Sequence, residues 1–143
     1  MWWRFWKDRI TIGGSTQAGL QATDNQTYGV DLLINWGRFL IKNEWVLRVL
    51  GNGPGNPTNR RYAYVQPSYR LSDTLRLVYR FAWSDPDGTD NNRVEHMLGL
   101  NWVPTTLLRL RVEYSLIDFE NKVDANGEQP DYGRVTTSVV ISF

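Results

Sequence analysis

Residues 75–83 read Leu-Arg-Leu-Val-Tyr-Arg-Phe-Ala-Trp, and residues 107–115 read Leu-Leu-Arg-Leu-Arg-Val-Glu-Tyr-Ser. In both, large apolar side chains recur at every second position. A β-strand turns successive side chains to opposite faces, so a period of two sorts each stretch into an apolar face and a polar one; a helix needs apolar residues three and four apart. Leu75, Leu77, Tyr79, Phe81 and Trp83 make one face of the first stretch, with Arg76 and Arg80 on the other. In the second, Leu108, Leu110, Val112 and Tyr114 oppose Arg109, Arg111, Glu113 and Ser115.

The same division extends along the chain. Leu98, Leu100 and Trp102 oppose Glu95 and Asn101, and Val135, Val139, Ile141 and Phe143 oppose Arg134, Thr136, Ser138 and Ser142. Near the start, Ile10, Ile12 and Leu20 oppose Thr11, Ser15, Gln17 and Gln21, and Tyr28, Val30, Leu32, Ile34 and Trp36 form a further apolar face. The pattern predicts about eight strands, at 10–22, 27–41, 45–50, 60–71, 75–84, 93–103, 107–119 and 133–143, bounded by clusters of Gly, Asn, Asp and Pro. The phase is lost across 37–41, which a bulge near Gly37 would restore. Tight turns are expected at 42–44, 72–74 and 104–106, and longer polar loops at 51–59, 85–92 and 120–131; the first hairpin, at 24–26, is short. Alternating short and long connections in an up-and-down meander place the tight turns at one end of the sheet.

A chain of 143 residues is one domain: an aromatic and basic segment, 1–9, then a single β domain, 10–143. The segment MWWRFWKDR is read in two ways, as an aromatic anchor at a membrane surface or as a strand-extending terminus. It lacks the aliphatic core and small-residue cleavage site of a secretory signal. With no cysteine, disulfides, thiolate nucleophiles and cysteine metal clusters are excluded. The net charge is +1 and the basic residues are scattered, unlike the concentrated footprint of a nucleic-acid binder. No apolar run approaches the roughly 20 residues of a membrane helix.

Alternation alone does not say which face is inside. A soluble barrel of the lipocalin type turns its apolar face inward around a small apolar ligand; a membrane barrel turns it outward to lipid. The aromatics favour lipid. Trp36, Trp45, Tyr69, Trp102 and Phe143 fall near the short-turn ends of the predicted strands, and Trp83 and Tyr114 toward the long-loop ends, as interface girdles require. The length of each apolar face also matches strands of roughly 9 to 11 residues crossing a hydrocarbon layer about 25 Å tall. The reading is an all-β, antiparallel up-and-down transmembrane barrel of about eight strands.

The ending VTTSVVISF, 135–143, resembles the C-terminal strand of bacterial outer-membrane β-barrel proteins. The hairpins PSYRLSDTLRLVYRF (67–81) and GLNWVPTTLLRLRVEYS (99–115) look like those of porin-type barrels. The resemblance implies an integral outer-membrane protein whose partners are membrane lipid and the barrel-assembly machinery, the latter reading the strand that ends at Phe143. It implies a structural or narrow pore-forming role.

With the apolar face outward, the lumen receives Asp31, Glu44, Glu95 and Glu113 together with Arg48, Arg70, Arg76, Arg80, Arg109, Arg111 and Arg134. Arginine suits this setting, because its planar fork bonds carboxylates bidentately and keeps its charge. Arginines outnumber carboxylates, so a mildly positive lumen with a bias toward anions is expected. Enzymatic signals are weak. Barrel lipid deacylases carry a histidine and a serine two residues apart, and Leu98 stands where that serine would follow His96, the single histidine. One histidine and scattered carboxylates assemble no metal site. The stretch 51–57, GNGPGNP, lacks the Lys-Ser/Thr of a phosphate loop and is read as a loop. No cofactor is expected.

Overall fold

The protein is described from a computed structural model at residues 1–7, 9–18, 26–51, 57–85, 92–119 and 132–141. Nine strands make one sheet: β1 (Trp2–Phe5), β2 (Ile10–Ala18), β3 (Gln26–Trp36), β4 (Phe39–Gly51), β5 (Pro57–Arg70), β6 (Leu75–Asp85), β7 (Arg93–Trp102), β8 (Leu108–Phe119) and β9 (Tyr132–Ile141). Each pairs antiparallel with the next, and the spatial order equals the chain order. Among the described residues β1 and β9 are the edges of the sheet. None of the described residues forms a helix long and apolar enough to cross a membrane.

The first half departs from the predicted pattern in one instructive place. The loss of phase at Gly37 is a hairpin turn, not a bulge. Trp36 pairs with Phe39, leaving a two-residue loop in which Gly37 has a φ of 61°. Positive φ at the first central position is the II′ geometry, which matches strand twist and which glycine adopts without steric cost. Strand β3 therefore ends at Trp36, and residues 42–44, expected as a turn, lie inside β4. The other tight turns fall where the sequence put them. Ser72 Oγ accepts from the backbone N–H groups of Thr74 and Leu75 at 3.3 and 3.1 Å, and Thr105 Oγ1 accepts from that of Leu108 at 3.2 Å. Both hydroxyls satisfy backbone donors that the turn leaves unpaired.

The ninth strand comes from the N-terminal segment. β1 pairs with β2 from Trp2↔Gly13 to Phe5↔Ile10 and then turns through Trp6 and Lys7, both at positive φ. Trp2 lies over Gly13, where an added Cβ would stand 2.4 Å from the ring. Proline stands near the end of β5 at Pro67, and the pairing with β6 is interrupted at 66 and 67, where proline has no N–H to donate.

Burial separates the two faces. Pairing keeps directly opposed residues on one side of a sheet, so the registers trace each face across the strands. One carries Ser68, Val78, Ala82, Met97, Ser115 and Ile117, all buried, with Met97 and Ile117 at 0% and 1% exposure, while Asp85, buried at the end of β6, falls on the opposite face. The other carries Tyr28, Val30, Leu77, Leu98, Val112 and Tyr114, with Leu98 at 54% and Val112 at 52%. The large aliphatic side chains are thus displayed on the outside and the polar face curls inward. A soluble barrel with an apolar interior has the opposite arrangement.

Candidate functional site

The registers put all eleven of the expected lumen charges on one face of the sheet, the polar one. Asp31 opposes Glu44 across β3 and β4, and Arg48 opposes Arg60 on β5. Arg70 opposes Arg76, which opposes Asn101, which opposes Arg111. Arg80, Met97, Ser115 and Arg134 form a parallel row, Gly99 and Glu113 lie between these two, and Arg109 opposes Val140 nearer the turns. Lys42, Arg60 and Arg93 join the face by the same registers. Sequence reasoning passed over these three: Lys42 because it was placed in a turn, Arg60 and Arg93 because they sit at predicted strand ends.

The charges are sorted along the strands. Gly13, Asp31, Glu44, Tyr64, Ala82 and Glu95 form one cross-strand row, which therefore holds three of the four inner carboxylates. Tyr64 stands directly opposite Glu44 in register. Closer to the tight turns lies the basic row of Arg70, Arg76, Asn101 and Arg111. Glu95 links the levels. Its carboxylate, 12% exposed, lies 3.4 Å from Arg80, 3.6 Å from Arg93 and 3.5 Å from Arg134. Glu113 pairs with Arg111. Of the expected charges, the structure thus joins Arg80, Glu95 and Arg134 in one cluster and Arg111 with Glu113 in another. Arg48, Arg70, Arg76 and Arg109 make no ion pair with a described residue.

A cavity of about 620 Å³ opens over the basic row, reaching from Tyr64, Gln66 and Arg80 on one side to the tight turn at 72–74 on the other. Its lining includes Lys42, Arg70, Arg76, Arg80, Arg109 and Arg111, against one carboxylate, Asp73. Among the described residues three buried side-chain polar atoms have no hydrogen-bond partner: Arg80 Nε, Arg111 Nε and Asn101 Oδ1. A charged or polar group left without a partner is costly to bury.

On the outer face the aromatics expected at interfaces fall at several heights. Trp36 and Trp102 end their strands beside the tight turns, and Tyr69 is next to the end of β5, its ring 4.7 Å from Phe39. Trp83 lies toward the long-loop end of β6. Two placements need correcting. Trp45 opposes Ala63, which opposes Trp83, so it shares Trp83's level rather than the short-turn end; the displaced turn at 37–38 is the reason. Tyr114 opposes Leu98 and Val135 near mid-strand, where its ring covers Gly133. Phe143 lies outside the described residues.

His96 also faces outward. Its Nδ1 is 2.8 Å from the Tyr79 hydroxyl and its ring lies 5.2 Å from that of Phe81. Leu98 follows it on the same face, so no hydroxyl nucleophile stands at that position. Among the described residues no group of three or more His, Asp or Glu side chains comes together to hold a metal ion.

These features define a class of fold, an antiparallel up-and-down sheet with an apolar exterior and an arginine-rich concave face. The particular likeness is to an anion-selective porin from Comamonas acidovorans, with a TM-score of 0.68 at 14% sequence identity. The match covers 90% of this chain and 39% of the porin, so the chain spans about two-fifths of that protein's length. No family model and no curated protein matches the sequence.

Proposed function

We propose that the chain forms the wall of an outer-membrane β-barrel pore, non-enzymatic, with the arginine-lined face toward water and a preference for anions. One observation carries this reading. The inner faces of β2 to β9 hold ten cations, two each on β4, β5, β6 and β8 and one each on β7 and β9, against the carboxylates Asp31, Glu44, Glu95 and Glu113. The chain as a whole carries only +1, so the strands concentrate positive charge on one face and leave the remaining carboxylates to the exterior and the connections. In a confined, low-dielectric passage such an excess lowers the barrier for anions and raises it for cations. The outward apolar face supplies the contact with lipid, and the likeness to an anion-selective porin agrees with both.

The test begins with circular dichroism of urea-unfolded protein diluted into buffer and, separately, into detergent micelles. The β spectrum should develop fully only with detergent. The micelle-folded protein is then added to a planar lipid bilayer under a KCl gradient. Stepwise currents with a reversal potential displaced toward that of chloride are expected. A folded, detergent-independent protein, or currents selective for potassium, would overturn the proposal.

A further inference from the structure

Two turns meet at one corner of the sheet. The turn after β1 runs through Trp6 and Lys7, and the turn at 37–38 joins β3 to β4. The Arg9 carbonyl accepts a hydrogen bond from the Asn35 N–H at 2.7 Å, which sets the two turns side by side. Their side chains are in contact as well. The Trp6 ring meets the Trp36 ring edge to face, with centroids 5.7 Å apart at 77°. The Arg9 guanidinium lies over the Trp36 ring, 5.9 Å from its centre. Trp36 opposes Phe39, whose ring is 4.7 Å from that of Tyr69. Trp6, Trp36 and Phe39 are each more than half exposed.

Trp6 and Lys7 both stand at positive φ, 49° and 54°, a region that residues with a Cβ occupy at an energetic cost. Strained residues of this kind are concentrated at binding sites; here the strain brings an aromatic ring and a cation to the rim together. Lys7, Arg9 and Arg38 are exposed and make no ion pair with a described residue. The sequence of the two turns adds one carboxylate, Asp8. A guanidinium stacked on a ring keeps the N–H donors in its own plane free for phosphate oxygens. The corner therefore offers cations at the level of the turns, where the strands meet water, beside rings on the outward face. Its complement is an amphiphile with an acidic headgroup and apolar chains. A free phosphate ion would satisfy the cations and leave the rings bare, and an uncharged lipid would do the opposite.

We propose that Lys7, Arg9 and Arg38, with Trp6, Trp36 and Phe39, bind a phospholipid of net negative headgroup, its phosphate on the cations and its chains along the outward rings. The site rests on the reading of the outward face as lipid-facing. It lies outside the arginine-lined face and needs no current, so lipid selection and conduction are tested apart.

The experiment is native mass spectrometry of the chain folded in micelles of a neutral detergent and mixed with equal amounts of phosphatidylglycerol and phosphatidylcholine of the same acyl chains. One lipid should be retained, phosphatidylglycerol about tenfold over phosphatidylcholine. Lys7→Gln and Arg9→Gln should each cut that preference about fivefold, the worth of one cation at an anionic membrane surface. Arg61→Gln, which removes an exposed cation from the outward face of β5 toward its long-loop end, should leave it unchanged. Retention should persist in excess inorganic phosphate, and displacement by the free ion overturns a site for lipid. The native protein suffices for refutation if a variant does not fold: equal retention of the two lipids, or a second copy of the chain retained in place of lipid, overturns the site. Anion-selective currents with equal retention would sink the site and leave the pore standing. Selective retention without currents would do the reverse.

Discussion

Replacing Glu95 by glutamine removes one negative charge from beneath three arginines while keeping the side chain's size. The carboxylate is 12% exposed, and Arg80, Arg93 and Arg134 approach it at 3.4 to 3.6 Å with side chains 24%, 35% and 50% exposed. These distances exceed the roughly 2.7–2.9 Å of a tight charge-assisted bond. Breaking a fully buried ion pair costs about 3–5 kcal/mol, and breaking an exposed one about 0.2–1 kcal/mol. Arg93 and Arg134 belong near the second limit because water screens them, and Arg80 lies between the two. Together they give an expected loss of about 2 kcal/mol. The assay is equilibrium urea unfolding of the micelle-folded protein, followed by tryptophan fluorescence, where a lower midpoint at unchanged slope reads as lost stability. A double-mutant cycle with Arg80→Leu isolates the central pair, with a coupling of about 1 kcal/mol expected. A loss below about 0.5 kcal/mol for Glu95→Gln, or zero coupling, would show that Glu95 is not the hub of the inner charge cluster.

Leu98→Arg on the outward face should cost about 2–4 kcal/mol in lipid vesicles if that level lies near the bilayer midplane; a neutral result by the same urea titration would place Leu98 in water. Gly37→Ala forces a Cβ into a φ of 61° and should cost about 1 kcal/mol, and an unchanged midpoint would argue against the two-residue turn at 37–38. Gly13→Ala places a methyl group within 2.4 Å of the Trp2 ring; since that ring must move, the Trp2 contribution to fluorescence should shift to longer wavelength. A spectrum identical to that of the native protein would mean that Trp2 does not cover Gly13.

The alternation that defines strands is local, enforced by the geometry of each residue and its neighbours, and it was legible wherever a strand was long and strictly patterned, as in β6, β7 and β8. It failed at 37–44 because a glycine with reset phase reads equally as a bulge or as a turn, and only pairing distinguishes them: Ile34 opposing Ile41 and Trp36 opposing Phe39 define a hairpin. That error displaced Trp45 in height and hid Lys42, yet left Glu44 on the correct face, since a strand's two faces follow from parity alone.

The sequence by itself thus determined an all-β meander, the residues that share each face, and the excess of arginine on one of them. Which face curls inward was a matter for the tertiary structure, because an alternating strand is consistent with either side being buried. The partners were settled there too. Glu95 and Arg134 are 39 residues apart in the chain and on strands that both pair with β8, so their ion pair depends on a strand order and register that bring two long side chains onto one face. The same pairing sets Arg76, Asn101 and Arg111, unremarkable in their separate strands, side by side in register at a single cavity.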